Sequence, residues 1–216
     1  MSHGDLVFPS YTRLEKIADA CVHVAGIAFS IVAAALLMIG AIGAAPAALL
    51  IGLIVYSAGL IGMFAASAAY NFASRSRLKE FLRRLDHAAI FVMIAGSYTP
   101  FALVVGGVAG HALLAAVWAI AVIGSVMKIR YPRRLERFFV VFYLFQGWIV
   151  VLAFDSIVAS LSSHALTMLI AGGIVYTVGV GFHLMERLRF HNVIWHMFVL
   201  AGAACQFVAV KSAVMA

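Results

Sequence analysis

The sequence is short of charge, and this shortage decides its class. Asp, Glu, Lys and Arg make up 11% of the 216 residues, while 65% are hydrophobic. Soluble domains carry roughly 25% charged and 45–50% apolar residues. The mean hydropathy is +1.10. A single soluble core cannot cover this much apolar surface, so lipid must be the solvent for most of the chain.

Acidic residues and cysteine are scarce as well. Eight acidic residues against 15 Lys and Arg give a formal net charge of +7, which in a soluble protein would indicate nucleic acid. Here the basic residues lie in short segments between apolar runs, where they set membrane topology, so we expect no nucleic-acid partner. The two cysteines, Cys21 and Cys205, fall in different apolar runs, near opposite faces of the membrane in the expected topology. We interpret them as packed small apolar residues rather than a disulfide.

Seven long apolar runs fill the sequence. Each is close to the roughly 20 residues that cross a bilayer as a helix, and their continuous apolar character excludes membrane strands. The connections are short, which predicts one integral membrane domain over residues 1–216. We predict an all-α seven-transmembrane helical bundle with spans at about 18–40, 47–71, 86–105, 111–129, 138–155, 164–185 and 192–213.

Basic residues are distributed unevenly between the two ends of this bundle. Fourteen of the 15 fall at one end, and Lys211 alone falls at the other. The positive-inside rule makes the basic end cytoplasmic. We therefore predict a multi-pass protein of the cell (inner) membrane, with the N-terminus cytoplasmic and the C-terminus outside. The fourteen are Arg13, Lys16, Arg75, Arg77, Lys79, Arg83, Arg84, Lys128, Arg130, Arg133, Arg134, Arg137, Arg187 and Arg189.

Polar side chains gather at the same end of the predicted bundle. Ionisable groups inside a membrane are costly and usually functional. Five predicted helices contribute: Glu15, Asp19 and His23; Ser67, Tyr70 and Asn71; Asp86 and His87; His183 and Glu186; and His191, Asn192 and His196. We interpret Glu15 and Asp19 as a solvated face before the first span, and His183 and Glu186 as interfacial. Asp86 and His196 lie in apolar surroundings and need partners from other helices.

Several segments carry a resemblance to a known family. They are Ser67-Ala-Ala-Tyr70-Asn71, Arg84-Leu-Asp86-His87, Gly96-Ser97-Tyr98-Thr99-Pro100 and Ile194-Trp195-His196. The chain resembles the bacterial haemolysin III-like branch of the progestin and adipoQ receptor (PAQR) superfamily. We expect Pro100 to kink the third helix within the membrane.

The resemblance implies a zinc site near the cytoplasmic face, held by one histidine of the second helix and two of the seventh. This chain has Asn71 and Asn192 at two of these positions, so His196 is the sole retained ligand. Asparagine is a weak zinc ligand. We favour a metal-free polar cluster, with no cofactor, over a zinc site in which His23, His87 or His191 stands in. The cluster is expected to join Ser67, Tyr70, Asn71, Asp86, His87, Asn192, His196 and His23.

Three functions follow from the resemblance. The favoured one is a membrane lipid sensing or homeostasis protein whose partners are membrane lipids. The first alternative is a zinc-dependent lipid amide or ester hydrolase, with Asp86 and Ser67 as candidate catalytic residues. The second alternative is a pore-forming cytolysin, as the family name suggests. No polar stripe runs through the outer halves of the predicted helices, which argues against a permanent pore.

Overall fold

A computed structural model of the chain describes residues 8, 10–74, 77–131 and 133–215, so Arg75 lies outside the described residues. Within these ranges no strand occurs, and seven helical segments are long and apolar enough to cross a membrane. The prediction of an all-α, seven-span bundle is confirmed. The helices are α1 (Arg13–Ala41), α2 (Ala47–Phe72), α3 (Arg77–Val105), α4 (Gly107–Arg130), α5 (Glu136–Gly147), α6 (Phe154–Ser160), α7 (Ser163–Leu184) and α8 (His191–Val214).

Two helices begin well before their predicted spans because polar residues extend them beyond the apolar run. In α1, the Thr12 hydroxyl accepts a hydrogen bond from the Glu15 backbone N–H, and the Glu15 carboxylate accepts one from the Thr12 N–H. This capping box satisfies two N–H groups of the first turn. In α3 the helix begins at Arg77 rather than near residue 86. Asp86 therefore lies more than two turns inside α3, not at its start.

The third helix lies at the centre of the bundle. More than half of its apolar window is buried, the largest share among the described spans. It packs between α2 and α4, while α7 packs on α8 and α1 contacts both α2 and α8. Large apolar side chains such as Val108 and Leu152 point outward, as expected for a surface in contact with lipid. Cys21 is also exposed, so the prediction that it is packed is wrong, whereas Cys205 is half-buried.

The fifth span is broken in its middle. The α5 helix ends at Gly147, a 3₁₀ turn follows at Ile149–Ala153, and α6 completes the crossing. The Tyr98 hydroxyl donates to the Gly147 carbonyl (2.6 Å) and accepts from the Val150 N–H (3.1 Å). Free backbone groups inside a membrane are costly, and Tyr98 satisfies two of them at this break.

Helix α3 continues through Pro100 as far as Val105. Beside the proline, the Thr99 hydroxyl donates to the Ala95 carbonyl at 2.9 Å, and the Ser97 hydroxyl donates to the Met93 carbonyl at the same distance. The helix thus passes through the proline without ending there, and Tyr98 of the same segment supports the break in the fifth span.

Candidate functional site

One face of α1 carries three polar side chains, Glu15, Asp19 and His23, each four residues from the next. Residues at this spacing lie one above another on a helix. Glu15 accepts a hydrogen bond from the Phe190 N–H at the start of α8 (3.0 Å). The other two side chains reach α8 and α2, as described below. This face of α1 therefore holds together the first, second and last spans.

The Asp19 carboxylate is buried between α1 and α8, with 8% of the residue exposed. Its Oδ1 lies 2.6 Å from Nδ1 of His196, and the Asn192 amide donates to the same oxygen at 3.4 Å. The interpretation of Asp19 as a solvated residue is wrong. Asp19 lies in an apolar stretch of the sequence. That stretch gives no sign of its two polar partners in α8, which are more than 170 positions away.

His23 is buried at the centre of the cluster, with 2% of the residue exposed. Its Nδ1 lies 2.8 Å from the Asp19 backbone carbonyl, and its Nε2 lies 3.1 Å from Ser67 Oγ and 3.4 Å from Asn71 Nδ2. The rings of His23 and His196 meet edge to face at 4.4 Å. His23 therefore connects the polar residues of α2 to those of α8.

The two residues predicted as catalytic candidates, Ser67 and Asp86, lie next to each other. They face each other across the contact between α2 and α3. Ser67 also faces His23. The structure thus places Ser67 and Asn71 beside His23, and Asn192 and His196 beside Asp19.

Three other residues of the predicted layer lie elsewhere. Tyr70 packs against the ammonium group of Lys79, 5.0 Å from its ring centre. Nδ1 of His87 and Nδ1 of His191 are each buried without a hydrogen-bond partner in the described part of the chain. Neither forms part of a ligand group with His196 among the described residues.

Tyr11 lies just outside the first span, near the cluster. Burial raises the pKa of Tyr11 to about 12, and the neighbouring Tyr70 and Asp19 side chains act in the same direction. Its phenol therefore remains protonated and uncharged at neutral pH. A neutral phenol at this position adds no further negative charge beside the Asp19 carboxylate.

Asp19, His23 and His196 each offer a ligand atom, and these atoms lie within 4.8 Å of one another. Two imidazoles and a carboxylate are a suitable zinc donor set, so the residue types present fit the ion. The Asp19–His196 distance of 2.6 Å is that of a hydrogen bond, whereas two ligands of one tetrahedral zinc lie about 3.3 Å apart. Of the three histidines considered as substitutes, the structure brings only His23 to His196. Asp19 was missed as a possible ligand.

These features define a class: an all-helical, multi-pass membrane protein with a buried carboxylate–imidazole cluster at one end of its bundle. The Haemolysin-III related family profile matches residues 11–207. The chain is 36% identical to Hemolysin-3 of Bacillus cereus over 197 residues, which are 91% of this chain and 90% of that protein. It is 35% identical to the Hemolysin-3 homolog of Bacillus subtilis (strain 168), over 93% of this chain and 94% of that protein.

The chain belongs to the Haemolysin-III related family. It is also 28% identical to the human Monocyte to macrophage differentiation factor, over 72% of this chain and 67% of that protein. This similarity supports the wider PAQR superfamily, so the resemblance found in the sequence motifs is confirmed.

Proposed function

We propose that this protein acts in membrane lipid sensing or homeostasis, in the cell (inner) membrane, by binding or modifying lipids at its polar cluster. The observation that supports this proposal is the buried group of Asp19, His23 and His196 inside a seven-span bundle. Ionisable groups buried within a membrane protein are costly and usually serve function. Their donors and acceptors match the amide or ester linkages found near lipid headgroups.

Native mass spectrometry tests this proposal on protein extracted in mild detergent with its bound lipids. We expect one lipid class to be retained by the wild type and to fall about tenfold in Asp19→Ala, which corresponds to about 1.4 kcal/mol. His164→Ala is the matched control, because His164 is an exposed histidine at the other end of the bundle. Identical lipid profiles in all three proteins would refute the proposal.

A second candidate is a metal-dependent hydrolase of lipid amides or esters, which the residue types of the same three side chains favour. Asp19, His23 and His196 would hold the ion, and zinc in such a site supplies an activated water. Elemental mass spectrometry of protein purified without chelators separates the candidates. Near-stoichiometric zinc that is lost in His196→Ala supports the metal site. Metal at background level in the wild type excludes it.

A further inference from the structure

The contacts of His23 assign the proton on its ring. Nδ1 lies 2.8 Å from the Asp19 backbone carbonyl, a group that can only accept a hydrogen bond. Nδ1 therefore donates, and in the neutral ring Nε2 is left as an acceptor. The Ser67 hydroxyl lies 3.1 Å from this nitrogen and donates to it. A hydroxyl bonded to an imidazole, whose other nitrogen is oriented by a third group, is the nucleophile–base arrangement of covalent hydrolases.

Asn71 places a further donor beside this pair. Its Nδ2 donates to the Ser67 backbone carbonyl at 2.9 Å and lies 3.4 Å from Nε2 of His23. An amide at this position removes the zinc ligand that the family resemblance implies there, and it supplies an N–H group instead. Both N–H groups of the amide are therefore engaged, one by the Ser67 carbonyl and one by Nε2 of His23, so that Asn71 holds the two residues next to each other.

Asp19 supports the imidazole from the side opposite Ser67. One of its carboxylate oxygens lies 3.5 Å from Nδ1 of His23. A negative charge at this distance stabilises the imidazolium that forms when the ring accepts a proton. The same carboxylate is held by His196, which fixes its position.

We propose that Ser67 and His23 form a metal-independent acyl-transfer pair for a lipid amide or ester, with Asp19 as a positioning residue. The inference rests on the proposed action on membrane lipids. It differs from the metal-dependent candidate in its nucleophile, which is a side chain of the protein rather than a water.

The reaction proceeds in two balanced halves. Ser67 Oγ bonds to the carbonyl carbon of the lipid while its proton moves to Nε2 of His23. The carbon–nitrogen or carbon–oxygen bond then breaks, and His23 returns the proton to the leaving amine or alcohol. Water attacks the acyl-serine, with His23 taking its proton and passing it to Ser67 Oγ. The products are a fatty acid and the amine or alcohol.

The Asp86 carboxylate, which faces Ser67 from α3, is an alternative proton acceptor. A carboxylate that took the serine proton would give the same covalent intermediate, so the test must separate the two acceptors. Asp86→Asn removes the carboxylate charge with little change in shape, and His23→Gln removes the imidazole. The pair proposed here requires labelling of Ser67 to depend on His23 and to survive Asp86→Asn.

The experiment uses the full chain in detergent micelles and a fluorophosphonate probe, which reacts covalently with activated serines. Intact-mass and peptide mass spectrometry then locate the adduct, with and without a metal chelator. We expect one chelator-resistant adduct on Ser67, its complete loss in Ser67→Ala, and labelling about 10²-fold slower in His23→Gln. Ser57→Ala is the matched control, because Ser57 lies on the same helix and its buried hydroxyl has no partner among the described residues.

Four results would overturn the inference: no adduct on Ser67, an adduct that requires metal, equal labelling rates in wild type and His23→Gln, or loss of labelling in Asp86→Asn. Thermal unfolding of each variant shows that the comparison is made on folded protein. The lipid measurement described above separates this failure from a wider one. If Ser67 is not labelled but the protein still retains a lipid that depends on Asp19, only the serine mechanism is refuted. If neither labelling nor lipid retention is found, the proposed function is refuted as well.

Discussion

Asp19 connects the first and last spans through its carboxylate, so its removal has a structural effect that can be measured apart from function. Asp19→Ala leaves the Nδ1–H of His196 without its acceptor inside the bundle. We expect the free energy of unfolding to fall by about 1.5–3 kcal/mol, as for other hydrogen bonds to charged groups. Denaturant or thermal unfolding in detergent measures this fall. Asp155→Ala, which removes an exposed carboxylate near the other end of the bundle, serves as the control.

A double-mutant cycle with His196→Ala tests that the loss comes from this pair. Residues in direct contact show coupling energies of about 0.5–3 kcal/mol. Additive effects of the two substitutions would contradict a direct Asp19–His196 contact.

The sequence predicts most members of the polar cluster but not how they are paired. Ser67, Asn71, Asn192 and His196 follow from helical spacing and the family motifs. Asp19 does not, because a carboxylate close to a span boundary is usually solvated. Its burial depends on α8, whose N-terminal residues come to lie against α1 only when the bundle closes. A contact between residues so distant in sequence leaves no trace in local periodicity.

The break in the fifth span is stabilised from α3. Tyr98 makes two hydrogen bonds with the backbone there. We expect Tyr98→Phe to lower the free energy of unfolding by about 1–3 kcal/mol, because it leaves buried backbone groups without a partner. Tyr56→Phe is the matched control, since the buried Tyr56 hydroxyl has no partner among the described residues. Unfolding of both variants in the same detergent compares them. Equal stability would contradict the role given to Tyr98.

Helices α3 and α4 approach each other closely at Gly110. A Cβ atom at this position would collide with the backbone carbonyl of Ala102, which cannot move aside as a side chain can. We expect Gly110→Ala to destabilise the bundle, by about 1–3 kcal/mol for an overpacked site. Gly62→Ala meets open space and should be neutral or stabilising by up to about 1 kcal/mol, because alanine favours the helix. A midpoint of unfolding that is the same in both variants would refute this packing.

The positions of the spans follow from apolar runs alone, but the internal structure of the fifth does not. Its residues are mainly apolar, so the sequence predicts one continuous helix. The break at Gly147 depends on Tyr98, which lies 49 positions away. Long-range hydrogen bonds of this kind replace helical ones without altering the apolar pattern.

Two buried amide side chains inside the bundle, Gln146 and Gln206, donate hydrogen bonds to backbone carbonyls. Gln146 donates to the Phe91 and Val117 carbonyls (3.1 Å each), and Gln206 donates to the Leu169 carbonyl (3.2 Å). A permanent pore needs polar groups that face a continuous channel. We expect dye-loaded vesicles that contain the purified protein to release no more dye than dye-loaded vesicles without protein. Release that grows with protein concentration would favour a pore-forming activity.

The orientation of the bundle remains a prediction from charge, and it decides which membrane face the polar cluster serves. The prediction places the short α1–α2 connection outside and the basic α7–α8 connection in the cytoplasm. Single cysteines introduced by Ala44→Cys and Arg187→Cys, both exposed positions, can be compared in a Cys21→Ala, Cys205→Ala background. A membrane-impermeant maleimide should label Ala44→Cys on intact cells, and Arg187→Cys only after permeabilisation. The reverse pattern would put the cluster at the outer face, where lipids of the other leaflet would be its ligands.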